Sequence, residues 1–336
     1  MIDWVTADIR CTNTLDGGCV VKIDDKGEID WLSPSALPVR GSYDVNVMVK
    51  PLGESYIRIS GNPAKWLQGH NLFGTNDLQK LMYEFFVVLY EVLCDDGLCP
   101  TISEMEDIEN GRYTVSRVDI NESWALDSQS QVKAWIRAAG AKMHMPHRGK
   151  GVFSGDTLYW GKGSKYWFLK CYSKGDEINT KRSKYPDEFR TQEMLDYANR
   201  SLRLELVLCS KFLREMQLHW VYQWNKDTAK MLLLEYVSKL EMSNNFMLND
   251  DILTLLPARM KMAYLSWLHG EDLRVILPKN TFYRYRREFK RYDIDIALVR
   301  DKEQQDNKVI PMLQVLEAKP MGIPDWAYEK GLVVCA

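Results

Sequence analysis

Three segments of this chain alternate polar and apolar residues, and this pattern constrains the fold more than any other feature. The segments are 113–120 (YTVSRVDI), 165–173 (KYWFLKCYS) and 202–208 (LRLELVL). Successive side chains of a strand point to opposite faces of a sheet, so a period of two predicts strands with one apolar and one polar face. We therefore predict a sheet rich in antiparallel pairs, because such sheets commonly leave one face outside the core.

The remaining chain indicates an α+β protein whose C-terminal part is mainly helical. The first 60 residues alternate as strands do, and helical spacing of apolar residues begins after Asn76 and recurs over 129–143. We predict an α+β domain with helices flanking its sheet over 1–215, a mainly helical domain over 216–300 and an irregular tail over 301–336.

The composition excludes several classes of protein. With 336 residues, 46% of them hydrophobic and 27% charged, the chain is typical of a folded protein and not of a disordered or collagen-like one. The most apolar run, 85–94, is about half of the ~20 residues that a membrane span needs, and the N-terminus lacks the basic start of a signal peptide. Seven cysteines without a CxxC pair predict reduced thiols. We expect a cytoplasmic protein with no membrane partner.

The polar faces of the three predicted strands would form a reactive site if the strands were neighbours. Their side chains are Arg117, Asp119, Asn121, Lys170, Tyr172, Lys174, Arg203 and Glu205. Two carboxylates are about what Mg²⁺ or Mn²⁺ needs from a protein when phosphate and water complete its shell. A tyrosine beside them could attack phosphorus, and Lys170 and Lys174 could stabilise its phenolate and the phosphate. The alternative is a solvated outer face of the sheet.

A net charge of −2 hides a local concentration of positive charge. The window 141–185 contains ten Lys and Arg residues against three acidic residues, with aromatic residues interleaved. Cations mixed with aromatic rings are typical of surfaces that bind single-stranded nucleic acid. We expect Lys162 and Lys165 to contact DNA, together with Arg117 and Arg203 from the polar strands.

A second basic segment, 279–291, predicts a helix with six basic residues and Glu288 as its one acidic residue. A short helix over 272–277 and a break at Pro278 precede it, which gives a layout like a helix-turn-helix. We expect this helix to contact duplex DNA through Arg284, Arg286, Arg287 and Lys290. A solvated helix face would show the same pattern.

Several segments resemble the filamentous-phage gene II replication initiators and stand in the same order. They are 61–74 (GNPAKWLQGHNLFG), 116–119 (SRVD), 170–174 (KCYSK), 203–205 (RLE) and 277–296 (LPKNTFYRYRREFKRYDIDI). The middle of the chain is also similar to staphylococcal rolling-circle plasmid initiators, through 157–161 (TLYWG), 172–174 with Glu177, and 203–205.

This resemblance implies a site-specific DNA endonuclease that nicks a phage or plasmid origin and initiates rolling-circle replication. In that family a tyrosine attacks one strand, becomes linked to the 5′ phosphate and frees a 3′ hydroxyl for synthesis, and a later cut rejoins the ends. Motif position makes Tyr172 the nucleophile and makes Asp119 and Glu205 ligands of Mg²⁺ or Mn²⁺, with His70 and Glu177 as further candidates. The implied partners are origin DNA, duplex and single-stranded, and a host helicase and DNA polymerase.

Other functions fit the same residues. A non-enzymatic, sequence-specific DNA-binding regulator would use the basic helix alone. A metal-dependent nuclease with water as nucleophile would leave no covalent adduct, and a structural partner of a replication complex would tolerate substitutions at Tyr172, Asp119 and Glu205. The chain also lacks the His-hydrophobic-His triplet that many tyrosine nickases use for their metal.

Overall fold

A computed structural model describes residues 1–180, 185–242, 256–268, 270–292, 294–297 and 312–333. Within these ranges a nine-stranded antiparallel sheet with flanking helices is followed by a separate helical cluster. The predicted α+β fold class is therefore confirmed.

The strands of the first domain are mostly short, and their order in the main sheet differs from their order in the chain. They are β1 (Ile2–Arg10), β2 (Cys19–Ile23), β3 (Ile29–Pro34), β4 (Leu37–Arg40), β5 (Asn46–Pro51), β6 (Tyr56–Gly61), β7 (Thr114–Ala125), β8 (Met143–Met145), β9 (Gly149–Lys150), β10 (Val152–Ser154), β11 (Thr157–Trp160), β12 (Trp167–Ser173), β13 (Ser201–Cys209) and β14 (Glu241–Met242). The main sheet has the order β10-β11-β12-β13-β7-β1-β6-β5-β4, whereas β14-β8-β9 and the β2–β3 hairpin form smaller sheets. The strands β7, β12 and β13 that carry the predicted polar faces are thus neighbours.

The described helices are α1 (Pro63–Gln68), α2 (Leu78–Leu93), α3 (Ile102–Glu109), α4 (Gln129–Lys142), α5 (Lys174–Asn179), α6 (Gln192–Asn199), α7 (Ser210–Glu215), α8 (Thr228–Ser238), α9 (Ala258–Leu268), α10 (Leu273–Ile276), α11 (Lys279–Phe289), α12 (Met312–Glu317) and α13 (Asp325–Glu329). The two longest helices begin at residues whose side chains accept hydrogen bonds from backbone N–H groups. Asp77 caps α2 and Ser128 caps α4. Asp77, and not Asn76, is the cap of the helix predicted to follow Asn76.

The apolar face of the main sheet forms the core of the first domain. Val118, Leu169 and Leu204 are fully buried on the three central strands, and the apolar stripe of α2, including Phe85 and Phe86, belongs to the same core. Burial of this face leaves the opposite face of β7, β12 and β13 to the polar residues, as the alternation predicted.

The first domain extends further along the chain than residue 215. Leu233 and Tyr236 of α8 lie in the core of the main sheet, and β14 pairs with β8, so this domain includes residues through Met242. A separate core contains Tyr264, Phe282 and other residues of 256–297. The apolar pattern of α8 predicts a helix, but it does not tell which core the helix joins.

The helix-turn-helix element is not confirmed. The helix before the break at Pro278, α10, has four residues, which is about one turn. The described part of the tail contains two short helices and contacts the first domain, where the N–H of Met321 donates to the carbonyl of Ser123.

No helix in the described ranges is long and apolar enough to cross a membrane. The six cysteines among the described residues are free thiols.

Candidate active site on the polar face of the sheet

Strand register brings the predicted reactive residues together. Lys170 of β12 lies opposite Glu205 of β13, and Tyr172 lies opposite Arg203. Glu205 in turn lies opposite Asn121 of β7. The polar residues that the sequence places on three separate strands therefore share one continuous face, except Lys174, which is the first residue of α5.

Glu205 is at the centre of this face. Its carboxylate is 4% exposed and accepts two hydrogen bonds, from Lys170 Nζ at 2.5 Å and from Tyr172 Oη at 3.2 Å. Lys170 Nζ also lies 3.6 Å from Asp119 Oδ2, so one ammonium group serves both carboxylates. Arg117 donates two hydrogen bonds of 2.7 Å to Asp119. Each carboxylate predicted to bind metal thus has a basic partner from the chain itself.

The pKa values follow from burial of these charges. Burial raises the pKa of Glu205 to about 8, although Lys170 opposes the rise. Burial, followed by the negative charges of Glu177 and Glu205, raises the pKa of Tyr172 well above its usual value. Tyr172 is therefore a neutral phenol at pH 7. At a pKa of about 8 only a minor fraction of Glu205 is ionised at pH 7, and in that form Glu205 is positioned to accept the phenol proton. Lys170 and Lys174 do not stabilise a resting phenolate as expected, because each lysine is bound to a carboxylate.

Lys174 and Arg203 hold the loop between α1 and α2. Lys174 is fully buried and donates to Asn71 Oδ1 at 2.6 Å and to Glu177 Oε2 at 2.7 Å. Arg203, 1% exposed, donates to the carbonyls of Asn71 at 2.6 Å and Leu72 at 3.0 Å. Burial lowers the pKa of Lys174 to about 8. These positions correct two predictions: Arg203 is not exposed to DNA, and Lys174 is not exposed to a phosphate.

His70 lies in an apolar environment and not beside the carboxylates. Its imidazole is fully buried and packs edge-on against Phe73 and Phe189. Burial, assisted by the charge of Lys174, lowers the pKa of His70 to about 4, so the ring is neutral at pH 7. Among the described residues, no group of three or more His, Cys, Asp and Glu side chains is arranged to hold a metal. His70 and Glu177 therefore do not join Asp119 and Glu205 as ligands in this structure.

Asn121 supplies a further oxygen on the same face. Its side chain is fully buried, and neither the oxygen nor the nitrogen of its amide has a hydrogen-bond partner among the described residues. Buried amides are nearly always hydrogen-bonded, so this amide is available to bind a ligand of the site. It stands opposite Glu205 and two residues from Asp119. Carboxylate and amide oxygens are the donors that Mg²⁺ and Mn²⁺ prefer, so these three residues fit such an ion.

Sequence reasoning missed Asp3, a third acid beside the site. Asp3 Oδ1 accepts from Asn62 Nδ2 at 2.6 Å and from Asn71 Nδ2 at 2.9 Å, which ties β1 to the loop held by Arg203. The register of β1 with β7 shifts between Ile2 and Val5, and this irregularity interrupts the alternation that would have indicated Asp3.

Exposed cations and aromatic rings continue the polar face beyond Lys170. Tyr159 of β11 lies opposite Lys170, and the centre of the Tyr159 ring is 5.0 Å from Lys162 Nζ. Lys162 and Lys165 are exposed, whereas Arg117 is partly exposed and lies 5.5 Å from the Trp4 ring. Three bases of the window 141–185, namely Lys181, Arg182 and Lys184, lie outside the described residues.

The basic helix α11 is amphipathic. Phe282, Tyr285 and Phe289 are buried, while Arg284 and Arg287 are exposed one turn apart. The other two predicted DNA contacts have partners within the chain. Arg286 donates to both oxygens of Asp295, at 2.6 and 2.7 Å, and Lys290 Nζ is 3.6 Å from Asp295 Oδ2.

The fold and the site together define an α+β protein with a tyrosine, two carboxylates and a lysine clustered on one face of an antiparallel sheet. The family model for the N-terminal part of the phage replication-associated protein matches residues 1–227, and the model for its C-terminal part matches residues 248–333. The chain therefore belongs to this family of phage replication-associated proteins, which confirms the resemblance to filamentous-phage gene II initiators.

Two relatives illustrate the extent of the similarity. The chain is 34% identical over 333 residues to the replication-associated protein of Enterobacteria phage I2-2, covering 96% of this chain and 95% of the relative. It is 25% identical over 128 residues to the replication-associated protein of Salmonella phage IKe, covering 37% of this chain and 28% of that protein.

Proposed function

We propose that this protein initiates rolling-circle replication by nicking one strand of a phage origin, with Tyr172 as the nucleophile. Family membership supports a role in replication. The observation that carries the chemical proposal is the hydrogen bond from Tyr172 Oη to Glu205 Oε2, on a face that also holds Lys170 and Asp119. A nucleophile bonded to a buried base is the arrangement that activates hydroxyl groups in covalent catalysis.

The reaction transfers a phosphodiester from a sugar oxygen to a tyrosine oxygen. Tyr172 Oη forms a bond to phosphorus while the bond from phosphorus to the 3′ oxygen breaks. The phenol proton passes to Glu205, and the leaving oxygen takes a proton from solvent water to become the 3′ hydroxyl that primes synthesis. The 5′ phosphate stays on Tyr172, and attack by a 3′ hydroxyl, whose proton passes to solvent water, reverses the step and rejoins the strand. Glu205 then returns its proton to Tyr172.

The face also fits a Mg²⁺ or Mn²⁺ ion. Asp119 and Glu205 would hold it, with the amide oxygen of Asn121 as a third donor. When bound, such an ion supplies charge stabilisation for the phosphate oxygens. Because such an ion would compensate both carboxylates, the charge of Lys170, which lies between them, would then be available to the scissile phosphate.

DNA would approach this face from the side of β11 and β12. Lys162 and the ring of Tyr159 provide a cation and a stacking surface next to Lys170. Lys165 and Arg117 add positive charge at the edges, and the exposed arginines of α11 would contact duplex DNA. The resemblance further implies that a helicase and a DNA polymerase of the bacterial host extend the 3′ hydroxyl.

The test is a covalent-capture assay with supercoiled DNA that carries the candidate origin, in Mg²⁺ or Mn²⁺. A protein–DNA adduct stable to denaturant is expected with the wild-type chain, and chelation of the metal should abolish it. Asp119→Asn should form little adduct and bind Mn²⁺ more weakly by calorimetry.

Other outcomes support other functions. Nicking without an adduct would support a nuclease that uses water as its nucleophile. Specific duplex binding without nicking would support the regulator, which needs only the basic helix.

A further inference from the structure

The helical cluster 256–297 contains a concave site that the proposed nicking chemistry does not use. The cavity has a volume of about 260 Å³, and its lining includes three arginines, Arg259, Arg284 and Arg287. Arg259 is on α9, and the other two stand one turn apart on α11. Two helices therefore contribute guanidinium groups to one concavity.

Contacts between the helices hold this arrangement in place. Tyr285 Oη donates to the carbonyl of Arg259 at 3.4 Å, and the Tyr285 ring lies 5.5 Å below the Arg284 guanidinium. Tyr264 of α9 stacks on Phe289 of α11, with ring centres 5.9 Å apart. The backbone positions of the three arginines are thus fixed by the core of the cluster.

The positive charge of this site is not neutralised by the described part of the chain. Among the described residues, no ion pair involves Arg259, Arg284 or Arg287, and the one carboxylate in the lining, Glu288, pairs with Arg291 at 2.7 Å. Like charges gathered in one concavity repel each other, so the arrangement favours an anionic ligand. Arg286 differs, since Asp295 holds it away from the site.

We propose that Arg259, Arg284 and Arg287 bind backbone phosphates of duplex origin DNA, so that α11 positions the protein and does not read bases. The inference rests on the proposed function for the identity of the nucleic acid. Guanidinium groups match phosphate oxygens bidentately, and a cavity that gathers three of them suits a phosphate better than the edge of one base. Phosphate contacts fix register without carrying sequence information.

The experiment measures duplex binding against salt for the full chain and for Arg259→Gln, Arg284→Gln and Arg287→Gln. Two duplexes of equal length are used, one with the candidate origin and one with its sequence scrambled. Each variant should bind both duplexes about tenfold more weakly. The slope of log K against log salt should become shallower by about 0.9 for each phosphate that a variant no longer binds. Arg287→Lys, which keeps the charge, should recover most of the slope.

Arg274→Gln is the matched control, because Arg274 is in the same cluster but pairs with Asp272 outside the cavity. It should leave affinity and slope unchanged, and thermal melting confirms that every variant is folded. Weaker binding to the origin duplex alone would overturn the proposal in favour of base reading. Unchanged affinity and slope in all three variants would overturn it as well.

Failure here is distinguishable from failure of the proposed function. Adduct formation on a single-stranded origin oligonucleotide depends on Tyr172 and is measured with the wild-type chain and with Arg274→Gln. If the wild-type chain forms no adduct, the proposed nicking function is wrong. The salt dependence of duplex binding still decides whether the cavity binds phosphate.

Discussion

The polar face around Tyr172 and the arginine cavity of the helical cluster differ in whether their charged side chains form ion pairs. On the polar face, Lys170 contacts Asp119 and Glu205, and Lys174 contacts Glu177. In the cavity, none of the three lining arginines forms an ion pair with a described residue. The lysines of the polar face are paired with carboxylates of the chain, whereas the arginines of the cavity can pair with the negative charges of a ligand.

This difference teaches what each region is suited to do. Buried and paired charges hold side chains at fixed positions, which a covalent step requires, since removal of one partner leaves an uncompensated charge. Exposed and unpaired cations bind a polyanion by releasing its counterions, which requires little precision. We therefore expect substitutions on the polar face to affect chemistry and folding, and substitutions in the cavity to affect DNA affinity.

The largest expected effect is a loss of nicking without a loss of duplex affinity. Tyr172→Phe removes the attacking oxygen, so nicking should fall at least about 1,000-fold while duplex affinity stays the same. Plasmid nicking and binding by fluorescence anisotropy measure the two quantities. Tyr166→Phe is the matched control, because Tyr166 Oη contacts Glu215 away from the site. Weaker binding by Tyr172→Phe would mean that the two regions are not independent.

Glu205→Gln should have the next largest effect. The substitution keeps the size of the side chain but removes the acceptor of the phenol proton, so the nicking rate should fall about 100- to 1,000-fold. Salt dependence of duplex binding should not change. A variant that nicks at the wild-type rate would show that the proton of Tyr172 passes elsewhere.

The free energy of unfolding should depend on pH because His70 is buried. The pKa of His70 is lowered to about 4 by burial, whereas in the unfolded chain it is near 6.5. The unfolded state therefore binds more protons between these values, so the stability that His70 contributes is present above pH 6.5 and lost as pH falls to 4. The loss should reach about 3 kcal/mol. Urea unfolding of wild type and His70→Gln across this range isolates the contribution, since the variant should lack that slope.

Lys174→Met should have a smaller effect, on stability. The substitution leaves Asn71 Oδ1 and Glu177 without their buried donor, so the free energy of unfolding should fall by about 1–3 kcal/mol. Lys162→Met, at an exposed position, is the control and should change it by less than about 0.5 kcal/mol. Equal urea midpoints for both variants would contradict the structural role assigned to Lys174.

The sequence predicted the composition of the polar face well, because a period of two determines which side chains share a face. Asp119, Lys170, Tyr172 and Glu205 were assigned in this way and lie together. The same pattern does not tell whether a charged side chain is exposed or covered. Arg203 and Lys174 are buried because the loop 69–74, distant in sequence, lies over them.

Other features depend on contacts that a single sequence does not specify. The strand irregularity near Ile2 places Asp3 beside the site, and α8 joins the first core because its apolar residues meet the sheet. The sequence predicts Arg286 as a DNA contact just as it predicts Arg284 and Arg287, yet Arg286 is bound to Asp295. Local periodicity predicts elements and faces, but long-range partners decide which charges remain available.

The most direct test of Tyr172 as the nucleophile is to locate the residue that becomes linked to DNA. The adduct formed on origin DNA would be trimmed with nuclease, digested with protease and analysed by mass spectrometry. We predict a nucleotide joined through its 5′ phosphate to the peptide that contains Tyr172. A nucleotide on any other residue, or nicked DNA with no modified peptide, would contradict it.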